Sequence, residues 1–340
     1  MPTLYINGKE VDARLDDRRV HLERFDYDID EASEMNVPIF DIDRVVVIGY
    51  PKVTMQLLHH FIYKDIPVVF LSPHGRWVSS MLPNTNGNAL RRLHQYEAAK
   101  DKSLALRVAK ALIYAKIRNM RRVLQRLAAN RELSREEDQL DACNTLQAYL
   151  LQLDTVADLD VLRGIEGAAS ARYFRRLAFF FPEEMPFTSR SRRPPRDAAN
   201  AILSWTYSIV TAEIDAAVKA AGLDSTLGFL HEIAYGRPSL ALDLIEPLRA
   251  PLCDLLSLNL LNHKLLNKDD FENNPDDGGV YLTKYARRRF FMQYEEYMER
   301  FFKEDKTSVH VTFRRVIRNM VNTICQVLEA RVEPEFFIMP

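Results

Sequence analysis

The pattern of hydrophobic and polar positions changes near residue 85. Before that point short β-branched runs dominate, such as "RVVVIGY" at 44–50 and "IPVVFLSP" at 66–73, and runs of this kind predict strands. The brief segments "TLYING" and "RRVHLERF" predict two more strands. Between the two long runs, "KVTMQLLHHFIYKD" predicts a short helix, and "HGRWVSSMLP" predicts an edge strand after a turn at Gly75. The N-terminal part is therefore expected to be a small β-rich domain with a helical insert.

Helical spacing dominates the rest of the chain. Leu104, Val108, Leu112 and Ala115 recur at intervals of three and four residues, which is typical of one buried helix face. The polar cluster "PNTNGN" at 83–88 predicts the linker between the two parts. We expect an α+β protein with an N-terminal domain over 1–85 and an all-helical domain over 86–340.

Composition narrows the class of protein. The chain has 340 residues, 47% of them hydrophobic, and a net charge of -1, which suits a globular protein of one large or two ordinary domains. Cys143, Cys253 and Cys325 are too widely spaced for a zinc site or a disulfide framework. Since no stretch approaches the ~18 apolar residues of a membrane span, we expect a cytoplasmic protein with reduced thiols. No GxGxxG or P-loop follows the first strand–helix unit, so a nucleotide-binding fold is disfavoured.

The stretch "GFLHEIAYGRPSLALDLIEPLRA" at 228–250 places polar groups in an apolar run. Asp243 and Glu246 are three residues apart and would share a helix face, and Pro247 would kink that helix and re-aim Glu246. Together with His231, these acids form a reasonable ligand set for Mg²⁺ or Mn²⁺. The alternative is a core histidine with two surface acids, and spacing alone does not decide between them.

A further acid lies between glycines in "LRGIEGAASARYFRRL". Glycine weakens a helix relative to alanine, so Gly164 and Gly167 around Glu166 suggest that something approaches the backbone closely. An exposed glutamate at an ordinary helix start is the alternative, and it is favoured for this segment taken alone.

Three basic runs suit a phosphate backbone through the bidentate guanidinium fork of arginine. The first surrounds two prolines and should form an extended loop, the second follows "LTKY", and the third lies along the helix at 107–126. Solvated surface faces are the alternative for all three. Their members are Arg190, Arg192, Arg193 and Arg196; Lys284, Arg287, Arg288 and Arg289; and Arg107, Lys110, Lys116, Arg118, Arg121 and Arg122.

In their order along the chain, these segments resemble the CRISPR-associated integrase family of the spacer-acquisition module, called Cas-one. The resemblance covers nearly the full length. It rests on "VVVIG", "IPVVFLSPHGRW", "LRGIEGAASARYF", "RRPPRDAANAILSWTYSIV", "GLDSTLGFLHEIAYGRPSLALDLIEPLR" and "GGVYLTKYARRRF".

The resemblance implies a β-sandwich-like N-terminal domain that dimerises and an all-α catalytic domain. It implies a metal site of Glu166, His231 and Glu246 that holds Mg²⁺ or Mn²⁺, with Asp243 as a supporting acid or a ligand of a second metal. Asn200, Ser204 and Tyr207 are expected to pack near this site. The expected DNA contacts are Arg163, Arg192, Arg193, Arg196, Arg237, Arg249, Lys284, Arg287 and Arg288.

The implied activity is the attack of a DNA 3′-OH on a phosphodiester of the CRISPR repeat, which inserts a short foreign fragment. The implied partners are double-stranded DNA (the prespacer and the repeat), a second copy of the chain and the smaller Cas-two protein. Two alternatives remain: a stand-alone metal-dependent endonuclease that cuts branched DNA, and a DNA-binding scaffold without catalysis. The presence of all three ligand types argues against the scaffold.

Overall fold

The computed structural model describes residues 3–26, 31–75, 77–81, 89–303, 310–330 and 332–340, without the side chains of Asp26 and Glu31. The chain divides into two compact units, residues 1–87 and 88–340. The predicted linker at 83–88 and the predicted boundary at 85/86 lie outside the described residues.

The described part of the N-terminal unit contains two four-stranded sheets and the α-helix α1. One sheet has the order β1-β5-β7-β8 and the other β4-β3-β2-β6. In the first sheet β1, β5 and β7 are parallel, and β8 is an antiparallel edge strand, as the sequence predicts. The elements are β1 Thr3–Asn7, β2 Val11–Asp16, β3 Arg19–Asp26, β4 Glu31–Pro38, β5 Arg44–Ile48, β6 Lys52–Val53, α1 Met55–Tyr63, β7 Val68–Leu71 and β8 Trp77–Met81.

Both sheets and α1 contribute to a single apolar core in this unit. Val20 of the second sheet and Val45 and Val68 of the first are completely buried, together with Leu57 and Phe61 of α1. The side chain of Thr54 accepts a hydrogen bond from the Leu57 amide and so caps the start of α1. This arrangement confirms the expected β-sandwich-like domain with a helical insert.

The C-terminal unit is mainly helical, and the α+β class is confirmed. It also contains two short antiparallel strand pairs, so the expectation of a purely helical domain was slightly wrong. Its elements are α2 Ala89–Ala98, α3 Lys102–Ala129, α4 Glu137–Gln152, α5 Leu159–Leu177, α6 Ala198–Ala220, α7 Ser239–Ile245, α8 Leu255–Asn262, β9 Phe271–Asn273, β10 Val280–Leu282, α9 Lys284–Glu299, β11 Phe302–Lys303, β12 His310–Val311 and α10 Phe313–Ala330.

Helix α3 is the central element of this unit. The Asp101 side chain caps its start by accepting the amides of Ser103 and Leu104, and its buried face packs against α4, α5 and the turn after α7. A candidate site at this turn therefore packs directly against α3. Among the described residues, no helix is long and apolar enough to cross a membrane.

The segment after α7 departs from regular helix geometry. A 3-10 turn spans Glu246–Leu248, and a π-helical turn spans Arg249–Asp254 before α8 begins. Pro247 and Pro251 lack the amide hydrogens that a regular α-helix would use there. The change of winding re-aims the side chains at 246, 249 and 254, and short π-turns of this kind are frequent at functional sites.

Candidate active site

A cavity of about 580 Å³ in the C-terminal unit brings together three acids and bases that are distant in sequence. Glu166 reaches it from α5, His231 from the loop before α7, and Glu246 from the 3-10 turn after α7. These are the three side chains that the resemblance implies as metal ligands. The structure places them on the wall of one cavity.

Lys116 joins the two glutamates. Its Nζ lies 2.6 Å from Glu246 Oε2 and also forms an ion pair with Glu166 Oε1, which accepts a further hydrogen bond of 2.8 Å from Ser170. The Lys116 side chain is only 5% exposed. The sequence prediction assigned Lys116 to a surface basic run. Its position four residues after Leu112, on the apolar stripe of α3, is a signal that could have indicated a buried role.

Glu246 is a buried anion held between two cations. Arg249 Nε lies 3.0 Å from Glu246 Oε1, and Lys116 lies next to Oε2. Burial by itself raises the pKa of the Glu246 carboxyl, but the positive charges of Arg249 and Lys116 outweigh burial and hold that pKa at about 2. Glu246 is therefore ionised throughout the physiological pH range. Its Oε2 is buried and contacts the Lys116 ammonium as an ion pair.

Asp243 serves His231 and does not face the cavity with Glu246. Asp243 Oδ1 lies 2.7 Å from His231 Nδ1, and the two carboxylate oxygens accept the backbone amides of Phe229, Leu230 and His231 at 2.5 to 3.0 Å. Asp243 does not line the cavity, whereas Glu246, three residues later, does; α7 ends at Ile245 and a 3-10 turn begins at Glu246. A carboxylate at Nδ1 favours the tautomer that leaves Nε2 unprotonated, which is the form that binds metals.

Gly228 allows this close contact. A Cβ atom at position 228 would lie 2.6 Å from Asp243 Oδ2 and 2.9 Å from the backbone of Ser239, distances that real Cβ atoms do not show. Glycine is therefore required where the chain passes over α7. By contrast, a Cβ at Gly164 or Gly167 would have no neighbour within 4 Å among the described residues. No described part of the chain makes the close approach that these two glycines suggest, and their face of α5 is open.

A buried polar network supports the cavity wall behind Glu246. Asp254 Oδ1 accepts the Tyr207 hydroxyl at 2.5 Å, and Oδ2 accepts the Tyr173 hydroxyl at 2.9 Å. Burial raises the pKa of Asp254 to about 6, although both tyrosine hydrogen bonds and the charge of Arg249 act in the opposite direction. The guanidinium groups of Arg190 and Arg249 both lie over the Tyr207 ring. Tyr207 is thus fixed in place, and it in turn orients two arginines.

The network also accounts for two other residues of the α6 segment. Arg190 donates to Asn200 Oδ1 at 2.8 Å and to Ser204 Oγ at 3.1 Å, while Asn200 Nδ2 binds Ser189 and Asp197. Asn200 and Ser204 therefore hold the loop at 190–196 against α6. This matches the expectation that these residues pack near the site.

The cavity carries an excess of positive charge. Five basic and two acidic side chains line it, with His231 in addition. Such a wall attracts phosphate groups. The basic residues are Lys116, Arg175, Arg190, Arg192 and Arg249.

The residues predicted to contact DNA occupy different environments. Arg192, Arg193 and Arg196 are exposed on the loop before α6, as predicted for that loop, and Arg288 is exposed on α9. Arg237 and Lys284 are half-buried. Arg249 pairs with Glu246, and Arg287 donates to the Leu282 carbonyl and lies over the Trp205 ring. Contact with DNA stays a prediction for each of these residues.

Arg163 has an internal role. Its Nε and Nη2 donate to the carbonyl of Leu230 at 3.1 and 2.9 Å, and its Nη1 pairs with Asp160 and Glu232. All three nitrogens are therefore used within the chain. Arg163 holds the residue before His231, and its contact with DNA stays a prediction.

Most side chains of the basic run on α3 have partners within the chain. Arg107 pairs with Glu333, Lys110 donates to the Asp154 and Val156 carbonyls, and Arg121 and Arg122 donate to the carbonyls of Cys143 and Pro340. Lys116 lies in the cavity. The sequence left two interpretations of this run open, a phosphate-binding patch and a solvated face, and it could not indicate these partners because they are distant in sequence.

The donor set at the cavity fits a divalent cation by its chemistry. It offers two carboxylates, one with a buried oxygen that has no hydrogen bond, and an imidazole whose other nitrogen is held by a carboxylate. Among the described residues, however, no three His, Cys, Asp or Glu side chains lie close enough together to form a complete metal-binding group. The Lys116 ammonium occupies the position between the two glutamates.

Comparisons with a family model, with curated proteins and with solved structures each find similar proteins. Residues 4–296 match the family described as "CRISPR associated protein Cas1". The chain is 34% identical to "CRISPR-associated endonuclease Cas1 3" of Thermus thermophilus, over 82% of this chain and 80% of that protein. A solved casposase bound to its integration product has a TM-score of 0.86 at 26% identity, with 100% of this chain and 94% of that chain covered. A chain of a Cas6-RT-Cas1–Cas2 complex has a TM-score of 0.79 at 22% identity, with coverage of 99% and 36%.

Proposed function

The chain belongs to the CRISPR associated protein Cas1 family, and we propose that it is a metal-dependent DNA endonuclease and integrase of CRISPR spacer acquisition. The family membership confirms the resemblance seen in the sequence. The observation that carries the proposal is the convergence of Glu166, His231 and Glu246 on one cavity with an excess of positive charge. A protein named as a casposase shares the fold of the whole chain and is solved with its integration product.

The residues that would hold a divalent cation, Mg²⁺ or Mn²⁺, are Glu166, Glu246 and His231 through Nε2. A cation there would polarise a phosphoryl oxygen and lower the pKa of a hydroxyl group. Asp243 keeps the His231 ring oriented, and Arg163 holds the loop that carries it. Asp243 is completely buried and fully occupied by four donors, which supports a positioning role over a role as ligand of a second metal.

The reaction we propose is a transesterification. The 3′ oxygen of a short DNA fragment forms a bond to phosphorus at the repeat boundary, and the 3′ oxygen of the repeat strand leaves with a proton. One phosphodiester forms as one breaks, so no external energy source is required. Arg190 and Arg249, held over Tyr207, are placed to attract the negatively charged phosphate to the cavity. With water as the nucleophile, the same site would cut DNA.

We further propose that the chain acts as a homodimer with the smaller Cas2 protein on double-stranded prespacer and repeat DNA. A structural neighbour is part of a complex that contains Cas1 and Cas2, which supports this partner. The N-terminal unit is the expected dimerisation domain.

The test is an integration assay. The chain, alone and with its Cas2 partner, is incubated with Mg²⁺ or Mn²⁺, a short duplex with 3′-OH ends and a supercoiled plasmid that carries the repeat. We expect joined products from the wild type and none from Glu246→Gln or His231→Ala. Glu184→Gln, which changes an exposed acid, serves as the matched control and should join normally.

A duplex with 3′-dideoxy ends separates the two activities. It lacks the nucleophile, so joining should stop while cutting of the plasmid persists. Cutting without joining under all conditions, even with Cas2, would contradict the integrase and favour the stand-alone endonuclease that acts on branched DNA. Full activity in either site variant would show that the cavity is not the active site.

A further inference from the structure

Lys116 is an unusual residue for the interior of a protein. Lysine is almost never fully buried unless it is paired. Here the ammonium is 5% exposed, and two glutamates neutralise it, one of which is equally buried. The chain therefore uses a positive charge from α3 to keep two carboxylates together at the cavity.

The ion pair with Glu246 leaves that carboxylate able to bind another cation. Lys116 Nζ and Arg249 Nε contact different oxygens of Glu246, at 2.6 and 3.0 Å. An ionised carboxylate has about four lone-pair sites on its two oxygens, so one contact on each oxygen leaves acceptor capacity for a further cation. A divalent cation, which prefers oxygen ligands, can therefore compete with Lys116 for the Glu246 carboxylate.

Space and charge do not permit both cations at once. A divalent ion that is shared by Glu166 and Glu246 must lie between them, where Lys116 Nζ now lies. With Lys116 and Arg249 both in contact, the two glutamates are already neutralised.

We propose that Lys116 is a tethered cation that bridges Glu166 and Glu246 in the metal-free protein and withdraws into the cavity when a divalent cation binds. This inference rests on the proposed metal site. The lysine stem is long and flexible, and its ammonium is a compact, strongly hydrated charge, so it can move from the glutamates to a phosphate in the cavity. Lys116 then supplies a positive charge to the substrate only after the metal has bound.

Two measurements with Mn²⁺ alone test the exchange. The first is the Mn²⁺ affinity of the wild type and of Lys116→Met, measured by calorimetry. Loss of the ammonium that competes for the two glutamates should tighten Mn²⁺ binding in Lys116→Met by at least about tenfold, a lower bound because a pair of unit charges ~4 Å apart is worth more than this even at an effective dielectric constant of ~20. Lys110→Met, which changes a lysine of the same helix outside the cavity, should bind Mn²⁺ like the wild type.

The second measurement is acetylation of lysine side chains in the wild type, read by peptide mass spectrometry. Lys116 should be protected without metal and acetylated at saturating Mn²⁺, while the exposed Lys264 should react equally in both states. This measurement needs no substitution, so it remains decisive if Lys116→Met fails to fold.

The outcomes separate this inference from the proposed function. Mn²⁺ binding with Lys116 still protected, and with unchanged affinity in Lys116→Met, would overturn the exchange and leave the metal site intact. If neither the wild type nor Lys116→Met binds Mn²⁺, the metal dependence of the proposed function fails as well.

Discussion

His231 Nδ1 lies 2.7 Å from Asp243 Oδ1, while Glu246, only three residues after Asp243, faces Lys116 and Arg249. Two acids on consecutive turns therefore have separate tasks. Asp243 fixes the loop at 229–231 through its backbone amides and the His231 ring through Nδ1. Glu246 presents its carboxylate to the cavity. Asp243 lies in the last turn of α7, and Glu246 begins the 3-10 turn that follows.

The first prediction concerns Asp243→Asn. In this variant a side-chain NH₂ group replaces one carboxylate oxygen and faces N–H groups that now donate to that oxygen. Two donors cannot hydrogen-bond to each other, so the His231 ring should lose its fixed orientation. We expect Mn²⁺ affinity, measured by calorimetry, to fall by about tenfold to hundredfold. Asp215→Asn is the matched control, because Asp215 is also a buried acid but binds Ser225 and Lys219. An equal loss of Mn²⁺ affinity in both variants would indicate a general structural effect.

The second prediction concerns the salt dependence of DNA binding. Arg192 and Arg193 are exposed on the loop that borders the cavity, whereas Arg121 and Arg122 donate to carbonyls within the chain. Replacing the first pair by glutamine should reduce the slope of log affinity against log salt by about 2 if each arginine contacts one phosphate. Replacing the second pair should leave the slope unchanged. Fluorescence anisotropy over a range of salt concentrations measures both. A slope that falls only when Arg121 and Arg122 are replaced would indicate that α3, and not the loop, contacts DNA.

The sequence alone predicts those features that depend on neighbouring residues. The β-branched run at 44–50 and the helix at 55–63 form as expected, because a continuous β-branched run and the Thr54 cap are local signals. The site could not be predicted in this way. Glu166 and Glu246 are 80 positions apart, and only the family resemblance indicated that they meet. The partners of the basic residues on α3 could not be predicted for the same reason: Glu333 and Pro340, which bind Arg107 and Arg122, lie at the other end of the chain.

The third prediction follows from the pKa of Asp254. This pKa is raised to about 6 in the folded protein from 3.8, so folding binds a proton between these values and stability falls as pH rises through that window. Asp254→Asn removes the effect. The stability of the variant relative to wild type should therefore increase by about 2 kcal/mol from about pH 4.5 to about pH 7. Urea unfolding followed by helical circular dichroism measures the difference. A difference that is constant with pH would show that Asp254 does not titrate in this range.

The last prediction concerns Asn119, one turn after Lys116 on α3. Its Nδ2 donates to the carbonyls of Pro247 at 2.7 Å and Phe337 at 2.9 Å, and its Oδ1 accepts the Met339 amide at 2.8 Å. One buried amide thus joins the C-terminal segment 332–340 to the residue that follows Glu246. It satisfies three backbone groups that no water can reach.

Asn119→Ala should lower the free energy of unfolding by about 3 kcal/mol, because these backbone groups are left buried without partners. Asn130→Ala, at the exposed end of the same helix, should cost less than about 0.5 kcal/mol. Truncation after Glu335 removes Phe337 and Met339, so Asn119→Ala should cost only about 1 kcal/mol in the shortened chain. Urea unfolding of the four chains of this cycle, with helical circular dichroism as the signal, gives the coupling. Equal costs in the full and shortened chains would mean that the C-terminal segment does not depend on Asn119.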